Sequence, residues 1–316
     1  MKSKKLIAVT GPTATGKTAL GMSAAHSFGG EIVSCDSMQI YKGLPIGTAQ
    51  PSEDQRTEIP HHLIAFQDIA ASFSVSDYVN TAEKVISDIY SRNKLPILVG
   101  GTGMYARSLL YNSSFDEDCR DDKLRDELYI TAENGSEGLY QRLKELDSSA
   151  AEKIHPNNTK RLVRALEYCI ITGRRFSDQQ SWKAEKKYDY LMLCLCYRDR
   201  KKLYGRIEDR VDLMMDMGLL QEAESFYKLS KGCSSLPTAA QAIGYKELFP
   251  YFDGAVSLEE AVSNIKKATR RYAKRQMVWF KKESEITFIY IDDYDTSKDA
   301  ETDCIRLIDE FLSGGD

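Results

Sequence analysis

An eight-residue segment near the amino terminus constrains the fold of this 316-residue chain more than any other feature. Residues 11–18 read GPTATGKT, which is the G-x-x-x-x-G-K-T pattern of a phosphate-binding loop (P-loop). An apolar run at residues 6–9 precedes the loop, and a helix-compatible stretch at residues 19–28 follows it. The segment therefore predicts a strand–loop–helix unit that binds a phosphate or a diphosphate.

Each part of this loop has a chemical reason. Glycines allow backbone amides to converge on phosphate oxygens, while Lys17 supplies a positive charge and Thr18 a hydroxyl that can bind Mg²⁺. An ordinary glycine-rich turn is the minority alternative, since it would not need Lys-Thr at the start of a helix. We expect the whole loop to contact the diphosphate: Gly11, Pro12, Thr13, Ala14, Thr15, Gly16, Lys17 and Thr18.

Two further predicted strands end in residues that narrow the chemistry. The strand at residues 31–35 is followed by Asp36, which would face the ligand crevice of an open α/β sheet. The strand at residues 95–99 ends in Gly-Gly-Thr-Gly, where many P-loop hydrolases place a Mg²⁺-binding Asp. Because Thr102 stands there instead of an acid, an NTP-hydrolysing motor is disfavoured.

The order of predicted elements indicates an α/β fold with a parallel sheet flanked by helices and a helical insertion. We predict a core of residues 1–115 and 188–316, and an insertion of residues 116–187. The predicted strands are 5–10, 31–35, 95–99, 188–197 and 285–291. The predicted core helices are 17–28, 76–92, 103–111, 200–217, 219–230, 237–249 and 257–282, with an irregular segment at 37–62. The predicted insertion helices are 121–134, 136–146, 150–154 and 159–172.

Composition and cysteine usage indicate a soluble cytoplasmic protein. Seven cysteines, at positions 35, 119, 169, 194, 196, 233 and 304, form no C-x-x-C pair, so we expect reduced and mostly buried thiols. The four histidines show no zinc spacing. The first apolar run is too short for a signal peptide, and no apolar stretch reaches the ~20 residues of a membrane span.

Basic residues concentrate in one predicted helix although the net charge is −4. From Val262 to Lys282 the chain has no Asp or Glu, and residues 266/270/274 and 267/271/275 form two adjacent stripes. Such a stripe favours binding of a polyanion, but from charge alone a helix face that is merely solvated is about equally well supported.

A second basic pair, Arg206 and Arg210, lies one helical turn apart on the helix at 200–217. The pair could clamp a diphosphate. A surface ladder with Glu208 and Asp209 is the alternative, and the sequence by itself favours that ladder.

Eight ordered blocks of this chain resemble one family, the tRNA dimethylallyltransferases, also called tRNA isopentenyltransferases. The blocks are residues 11–18, 36–41, 47–49, 60–63, 100–105, 158–167, 241–246 and 269–276. Gln50 departs from the family, in which we expect Lys, and puts one local charge contact in doubt. Because no Cys/His finger follows residue 282, the chain is most similar to the short bacterial form.

The resemblance implies a reaction, a cofactor and partners. The dimethylallyl group would pass from its diphosphate to N6 of the adenosine 3′ to the tRNA anticodon, with Mg²⁺ bound by Thr18 and pyrophosphate released. It implies catalytic roles for Asp36 as the general base, and for Thr102 and Arg210 beside the diphosphate. We expect a monomer that binds the tRNA anticodon stem-loop and dimethylallyl diphosphate. We expect no binding to a membrane.

The target base would be extruded from the anticodon loop, as enzymes that modify a base require. The residues that the resemblance assigns to tRNA are Asp36, Ser37, Met38, Gln39, Lys160, Arg161, Leu162, Val163, Arg164, Gln241, Gly244, Tyr245, Lys246, Arg270, Arg271, Lys274 and Arg275.

Three alternatives share parts of this pattern. An adenylate isopentenyltransferase has the P-loop and the Asp but acts on a free nucleotide, which needs neither the insertion nor the basic helix. A P-loop metabolite or nucleoside kinase usually has an Arg-rich lid, whereas the arginines of the insertion are dispersed. A non-catalytic RNA-binding protein would have no use for Lys17, Thr18 and Asp36.

Overall fold

The computed structural model describes residues 4–111, 121–133, 135–180, 185–231 and 237–314. The chain divides into two compact units, residues 1–111 with 186–316, and residues 112–185. The boundaries predicted from the sequence are residues 115 and 188. Cys119, Cys233 and the predicted helix end at residue 134 lie outside the described residues.

The larger unit begins with alternating strands and helices. In chain order these are β1 (Lys5–Thr10), α1 (Lys17–Phe28), β2 (Gly30–Ser34), α2 (Glu53–Glu58), β3 (His61–His62), α3 (Val75–Ser91), β4 (Leu95–Val99) and α4 (Gly103–Leu110). Ser52 and Ser74 cap α2 and α3, and each is part of a capping box that satisfies amides at the start of the helix.

The smaller unit is helical within the described residues. It comprises α5 (Asp122–Glu133), α6 (Glu137–Leu146), α7 (Ser148–Lys153) and α8 (Thr159–Thr172), followed by the 3-10 helix Phe176–Gln180. Its core is apolar and includes Leu128, Leu143 and Leu166. Asp147 caps α7 by accepting from the Ala150 amide at 3.0 Å.

The larger unit then continues with elements that complete its sheet and cover it. These are β5 (Asp189–Cys196), α9 (Arg200–Asp216), α10 (Leu219–Lys231), α11 (Tyr245–Phe252), α12 (Leu258–Phe280), β6 (Thr287–Tyr290) and α13 (Ser297–Ser313).

A six-stranded parallel sheet organises the larger unit, in the order β3-β2-β4-β1-β5-β6. In the register of the sheet, Ile7 of β1 lies between Ile97 of β4 and Leu191 of β5. Residues 6–9 are fully buried, as expected for a central strand covered by helices on both faces. Since all strands are parallel, the loops after β1, β2 and β4 meet at one edge of the sheet.

The fold class predicted from the sequence is confirmed, two local predictions were wrong and one helix was missed. The segment at 37–62 contains α2 and the short edge strand β3. The predicted helix at 237–249 is instead a 3-10 helix, Thr238–Gln241, followed by α11, because Ala242 is extended and Gly244 takes a φ of 106°. Helix α13 was not predicted, although Ala300, Cys304 and Ile308 follow one buried face.

Two general expectations concern thiols and membranes. Among the described residues, Cys35, Cys169, Cys194, Cys196 and Cys304 are buried and unbridged, as predicted. The described helices include none with the length and apolar character needed to cross a bilayer.

Candidate active site

The P-loop lies between β1 and α1 and has the backbone that its glycines predict. Gly16 caps α1 with a φ of 88°. At Gly11 the φ is 133°, and a Cβ there would lie 2.3 Å from the carbonyl oxygen of Leu195 in β5. Only glycine allows β5 to approach this closely, so the position is fixed by backbone packing as well as by conformation.

Lys17 is the charged group of this loop, and its Nζ donates a 2.6 Å hydrogen bond to the Pro12 carbonyl oxygen. Burial, together with the nearby positive charge of Arg210, lowers the pKa of Lys17 to about 8 against the opposing effect of Asp36. The three charged side chains therefore influence one another within a single pocket.

Asp36 follows β2, and the loop after β4 lies directly beside it. Asp36 Oδ1 accepts from the Met38 amide at 2.9 Å, while Thr102 Oγ1 accepts from the Ser37 amide at 3.0 Å. A Cβ at Gly100 would lie only 2.1 Å from the Cys35 carbonyl oxygen, so glycine is needed for the two loops to meet. The predicted site residues Asp36 and Thr102 are thus brought together.

Helix α9 supplies both arginines to the same cleft. Arg206 Nε donates to the P-loop carbonyl of Ala14 at 3.1 Å, and Arg210 is one turn further along the helix. Burial lowers the pKa of Arg210, with Asp36 opposing the shift. The surface-ladder alternative is wrong, because Glu208 forms an ion pair with Arg270 of α12 instead.

One cleft of about 640 Å³ at the carboxyl edge of the sheet is lined by P-loop residues, Asp36 and the two arginines, and Thr102 adjoins it through its contact with Ser37. Its charged part contains Lys17, Asp36, Arg206 and Arg210. Part of its wall is apolar and is formed by Ile207, Val211, Met214, Leu219, Ile243 and Ile265. A ligand with a charged head and a short hydrocarbon group matches this combination.

Glu222 holds a wall of the cleft and was not predicted from the sequence. Its carboxylate accepts from the amides of Ile46 and Gly47 at 2.9 and 2.8 Å and from the Tyr245 hydroxyl at 2.6 Å. Gly47 lines the cleft, and a Cβ there would lie 2.6 Å from the Tyr245 ring. An acid within a helix carries no special signal in sequence, whereas Gly47 was visible as part of a block.

Two glutamines, Gln39 and Gln50, stabilise the loop that follows β2 by hydrogen bonds to its backbone. Gln39 Nε2 donates to the Ala49 carbonyl at 2.9 Å, and Gln50 Nε2 donates to the carbonyls of Gln39 and Tyr41 at 3.1 and 2.8 Å. Gln50, where Lys was expected, therefore binds backbone and supports the loop.

The basic residues of α12 divide into two groups. Lys266 pairs with Asp212 of α9 at 2.7 Å, and Arg270 pairs with Glu208. In contrast, four are exposed, namely Lys267, Arg271, Lys274 and Arg275, the last of which also lines the cleft. The first two cations are thus compensated within the chain, and the stripe available to a polyanion is narrower than the sequence predicts.

Several residues assigned to tRNA need correction. Leu162 and Val163 are buried in the core of the helical unit, and Tyr245 is buried against Glu222, so these side chains cannot contact RNA. Of the α8 residues assigned to tRNA, Lys160, Arg161 and Arg164 are exposed. In the block at residues 241–246, Gln241 and Lys246 are exposed and line the cleft, and Gly244 also lines it. Ser37, Met38 and Gln39 also line the cleft.

The residues present fit a metal that arrives with a phosphorylated ligand. No cluster of three or more His, Cys, Asp or Glu side chains suited to a metal occurs in the part of the chain that the structure describes. Thr18 presents a hydroxyl from the start of α1 to the cleft. Mg²⁺ usually keeps several waters and binds few protein groups together with substrate phosphates, and this donor set matches that behaviour.

Known proteins are similar to this chain over most of its length. The model of the IPP transferase family matches residues 39–283. The tRNA dimethylallyltransferase of Caldanaerobacter subterraneus subsp. tengcongensis is 43% identical over 314 residues, which cover 98% of both chains. That of Bacillus subtilis is 45% identical over 286 residues, 90% of each chain.

Solved structures extend the similarity to the fold. The full-length tRNA isopentenylpyrophosphate transferase from Bacillus halodurans matches with a TM-score of 0.73 and 38% identity, over 99% of this chain and 98% of that one. A eukaryotic dimethylallyltransferase acting on tRNA matches with a TM-score of 0.87 and 32% identity, over 99% of this chain and 81% of that one. The resemblance inferred from the eight blocks is therefore confirmed: the chain has the P-loop NTPase-like fold and belongs to the IPP transferase family, the prenyltransferases known as tRNA dimethylallyltransferases.

Proposed function

We propose that this protein transfers a dimethylallyl group from dimethylallyl diphosphate to N6 of the adenosine 3′ to the anticodon in tRNA. The observation that carries the proposal is the cleft that brings the carboxylate of Asp36 together with the cations Lys17 and Arg210. A phosphoryl-transfer enzyme would also use the cations, but the carboxylate and the apolar wall fit an acceptor amine and a prenyl group.

The acceptor half of the reaction depends on Asp36. The N6 lone pair forms a bond to C1 of the dimethylallyl group as the bond from C1 to the diphosphate oxygen breaks, and the N6 proton passes to the Asp36 carboxylate. An adenine amino group is a weak nucleophile, so orientation and a base both contribute. The Met38 amide at 2.9 Å from Oδ1 fixes one carboxylate oxygen and leaves the other for the proton.

The donor half depends on the P-loop and on α9. The leaving diphosphate gains negative charge as the bond breaks, and positive groups placed in advance stabilise that charge. Lys17, Arg206 and Arg210 line the same cleft as the P-loop. When bound, a divalent metal, which we propose is Mg²⁺ held by Thr18, would neutralise further charge on the leaving group.

We propose that exposed cations in each unit bind tRNA phosphates. Helix α12 exposes Arg271, Lys274 and Arg275. Helix α8 exposes Lys160, Arg161 and Arg164. Phosphate contacts of this kind position the nucleic acid without reading its sequence. We propose that the protein acts as a monomer in the cytoplasm.

The decisive experiment is incubation with dimethylallyl diphosphate, Mg²⁺ and an unmodified anticodon stem-loop, followed by mass analysis of the nucleosides. We expect one adenosine to gain one dimethylallyl group with release of pyrophosphate. Prenylation of free AMP instead would support an adenylate isopentenyltransferase. Turnover of ATP onto a small molecule would support a kinase, and either result would overturn the proposal.

A salt titration tests the polyanion surface. If Arg271 and Lys274 contact tRNA phosphates, replacing both with Gln should reduce the slope of log K against log salt by roughly 0.7–0.9 per lost contact. Affinity for dimethylallyl diphosphate should stay the same. Lys298→Gln on α13 is the matched control, since it removes an exposed cation from another helix. Coincident slopes for wild type and the double variant would show that α12 does not bind the tRNA backbone.

The pKa of Lys17 gives a pH test of diphosphate binding. In the free protein this pKa is about 8, so Lys17 is protonated below that pH and neutral above it. An anion favours the protonated form, so binding above pH 8 requires proton uptake and the Kd should rise by up to about tenfold per pH unit. Titration calorimetry between about pH 7 and 9.5 measures this.

Lys17→Arg is the matched variant for the pH test, because an arginine stays charged throughout this range. Its affinity for the diphosphate should not fall above pH 8, because the residue at position 17 does not lose its proton. An equal pH dependence in both proteins would mean that Lys17 does not sense the bound anion.

A further inference from the structure

Gln276 lies in α12 and joins the two loops that form the reaction site. Its side-chain Oε1 accepts from the Thr13 amide of the P-loop at 3.0 Å, and its Nε2 donates to the Gly101 carbonyl at 2.9 Å. The residue is only 6% exposed. A buried amide with both ends hydrogen-bonded to different loops is held in one orientation.

Glycine at position 101 is explained by this contact. A Cβ on Gly101 would lie 2.2 Å from Gln276 Nε2, closer than any real contact allows. Gly101 does not have a left-handed backbone, so its own conformation does not demand glycine. The loop after β4 therefore lacks a side chain at the point where Gln276 reaches it.

Neighbouring residues on the same face of α12 contact the same loop. The Tyr272 side chain lies beside Thr102, and a Cβ on Gly103 would lie 2.1 Å from the Trp279 ring. These residues precede and follow Gln276 by four and three positions, so they share its helical face. Of the three, Gln276 also reaches the P-loop.

We propose that Gln276 is a positioning residue that fixes the spacing between the P-loop and the loop that carries Thr102. The proposal rests on the proposed function, because the first loop addresses the leaving diphosphate and the second lies beside Asp36. An amide is required, since a carboxylate cannot donate to Gly101, an amine cannot accept from Thr13, and an alkyl group does neither. Because the Thr13 amide already donates to Gln276 Oε1, a bound phosphate must accept hydrogen bonds from the P-loop amides that follow Thr13.

A double-mutant cycle tests the proposal with four proteins: wild type, Gln276→Ala, Gly101→Ala and the double variant. Each single change should lower kcat by about 10–100-fold, the effect of a misplaced reacting group, with the KM for tRNA changed by less than about twofold. Gln276→Ala leaves space for the Cβ of Ala at position 101, so the double variant should be no worse than the poorer single variant.

Two further readouts separate positioning from stability. The affinity for inorganic pyrophosphate with Mg²⁺ should fall roughly 3–10-fold in Gln276→Ala, as expected for the loss of an ordinary hydrogen bond. Ser263→Ala, at an exposed position of α12, is the control and should leave every quantity unchanged. If the alanine variant does not fold, Gln276→Met keeps the volume, removes both hydrogen bonds and should show the same loss of kcat.

The outcomes distinguish this proposal from the proposed function. If wild type fails to prenylate tRNA, the proposed function fails, and pyrophosphate affinity still reports on Gln276. If wild type prenylates tRNA, multiplicative effects in the cycle would overturn the role of Gln276. A lower Tm with unchanged kcat would also overturn it, because that result describes a purely structural contact.

Discussion

Asp36→Asn should lower kcat for tRNA prenylation by roughly 10²–10⁴-fold, the usual contribution of a general base. The asparagine keeps an oxygen that can accept from the Met38 amide, so the loop after β2 should retain its conformation. The variant therefore removes the proton acceptor while it preserves the local hydrogen bond. Single-turnover prenylation of an anticodon stem-loop at saturating diphosphate measures the chemical step directly.

Two controls accompany the Asp36 variant. Pyrophosphate binding should not weaken, since the change removes a negative charge from the cleft. Asp309→Asn, at an exposed position of α13, removes a carboxylate outside the cleft and should leave kcat unchanged. Wild-type single-turnover rates in Asp36→Asn would exclude Asp36 as the base.

Arg210→Met should lower kcat by roughly 10²–10³-fold, the typical effect of removing one group that stabilises transition-state charge. The guanidinium lines the cleft with Lys17 and the P-loop, where the leaving diphosphate gains charge. Measurement of kcat and KM should show the loss mainly in kcat, since stabilisation of charge that develops in the transition state affects the chemical step.

An independent readout of Arg210 is the pH dependence of diphosphate binding. Arg210 lowers the pKa of Lys17, so its removal should raise that pKa and move the decline in affinity to higher pH. Arg306→Met, which removes an exposed arginine of α13, should change neither quantity. If Arg210→Met retained kcat and the pH profile of wild type, the arginine would lie outside the reacting region.

The sequence by itself determined the framework of this protein and the residues that end its strands. The P-loop pattern, Asp36 after one strand and Thr102 after another required only local spacing, because parallel strands bring their carboxyl ends to one edge. Buried strands read as continuous apolar runs, so the central strands were predicted closely. The edge strand β3, with its two residues, has too little pattern to be recognised.

The role of α9 shows the limit of local spacing. Arg206 and Arg210 fit a surface ladder as well as a diphosphate clamp when only their own helix is considered. The ion pair between Glu208 and Arg270 removes the acid from that ladder, and the bond from Arg206 to Ala14 places the helix on the P-loop. Both contacts join residues more than 60 positions apart, so no window of sequence contains them.

The same reason explains which side chains were assigned wrongly to tRNA and which were missed. The family blocks include Leu162, Val163 and Tyr245, which are buried by packing. The blocks therefore contain residues of the core as well as residues of the surface. Within their own helices Glu222 and Gln276 look like ordinary residues, although Gln276 ends a family block, and each becomes important by bonding to loops far away in the chain. The sequence determined which chemistry the cleft contains, whereas tertiary contacts decided which polar side chains hold it in shape.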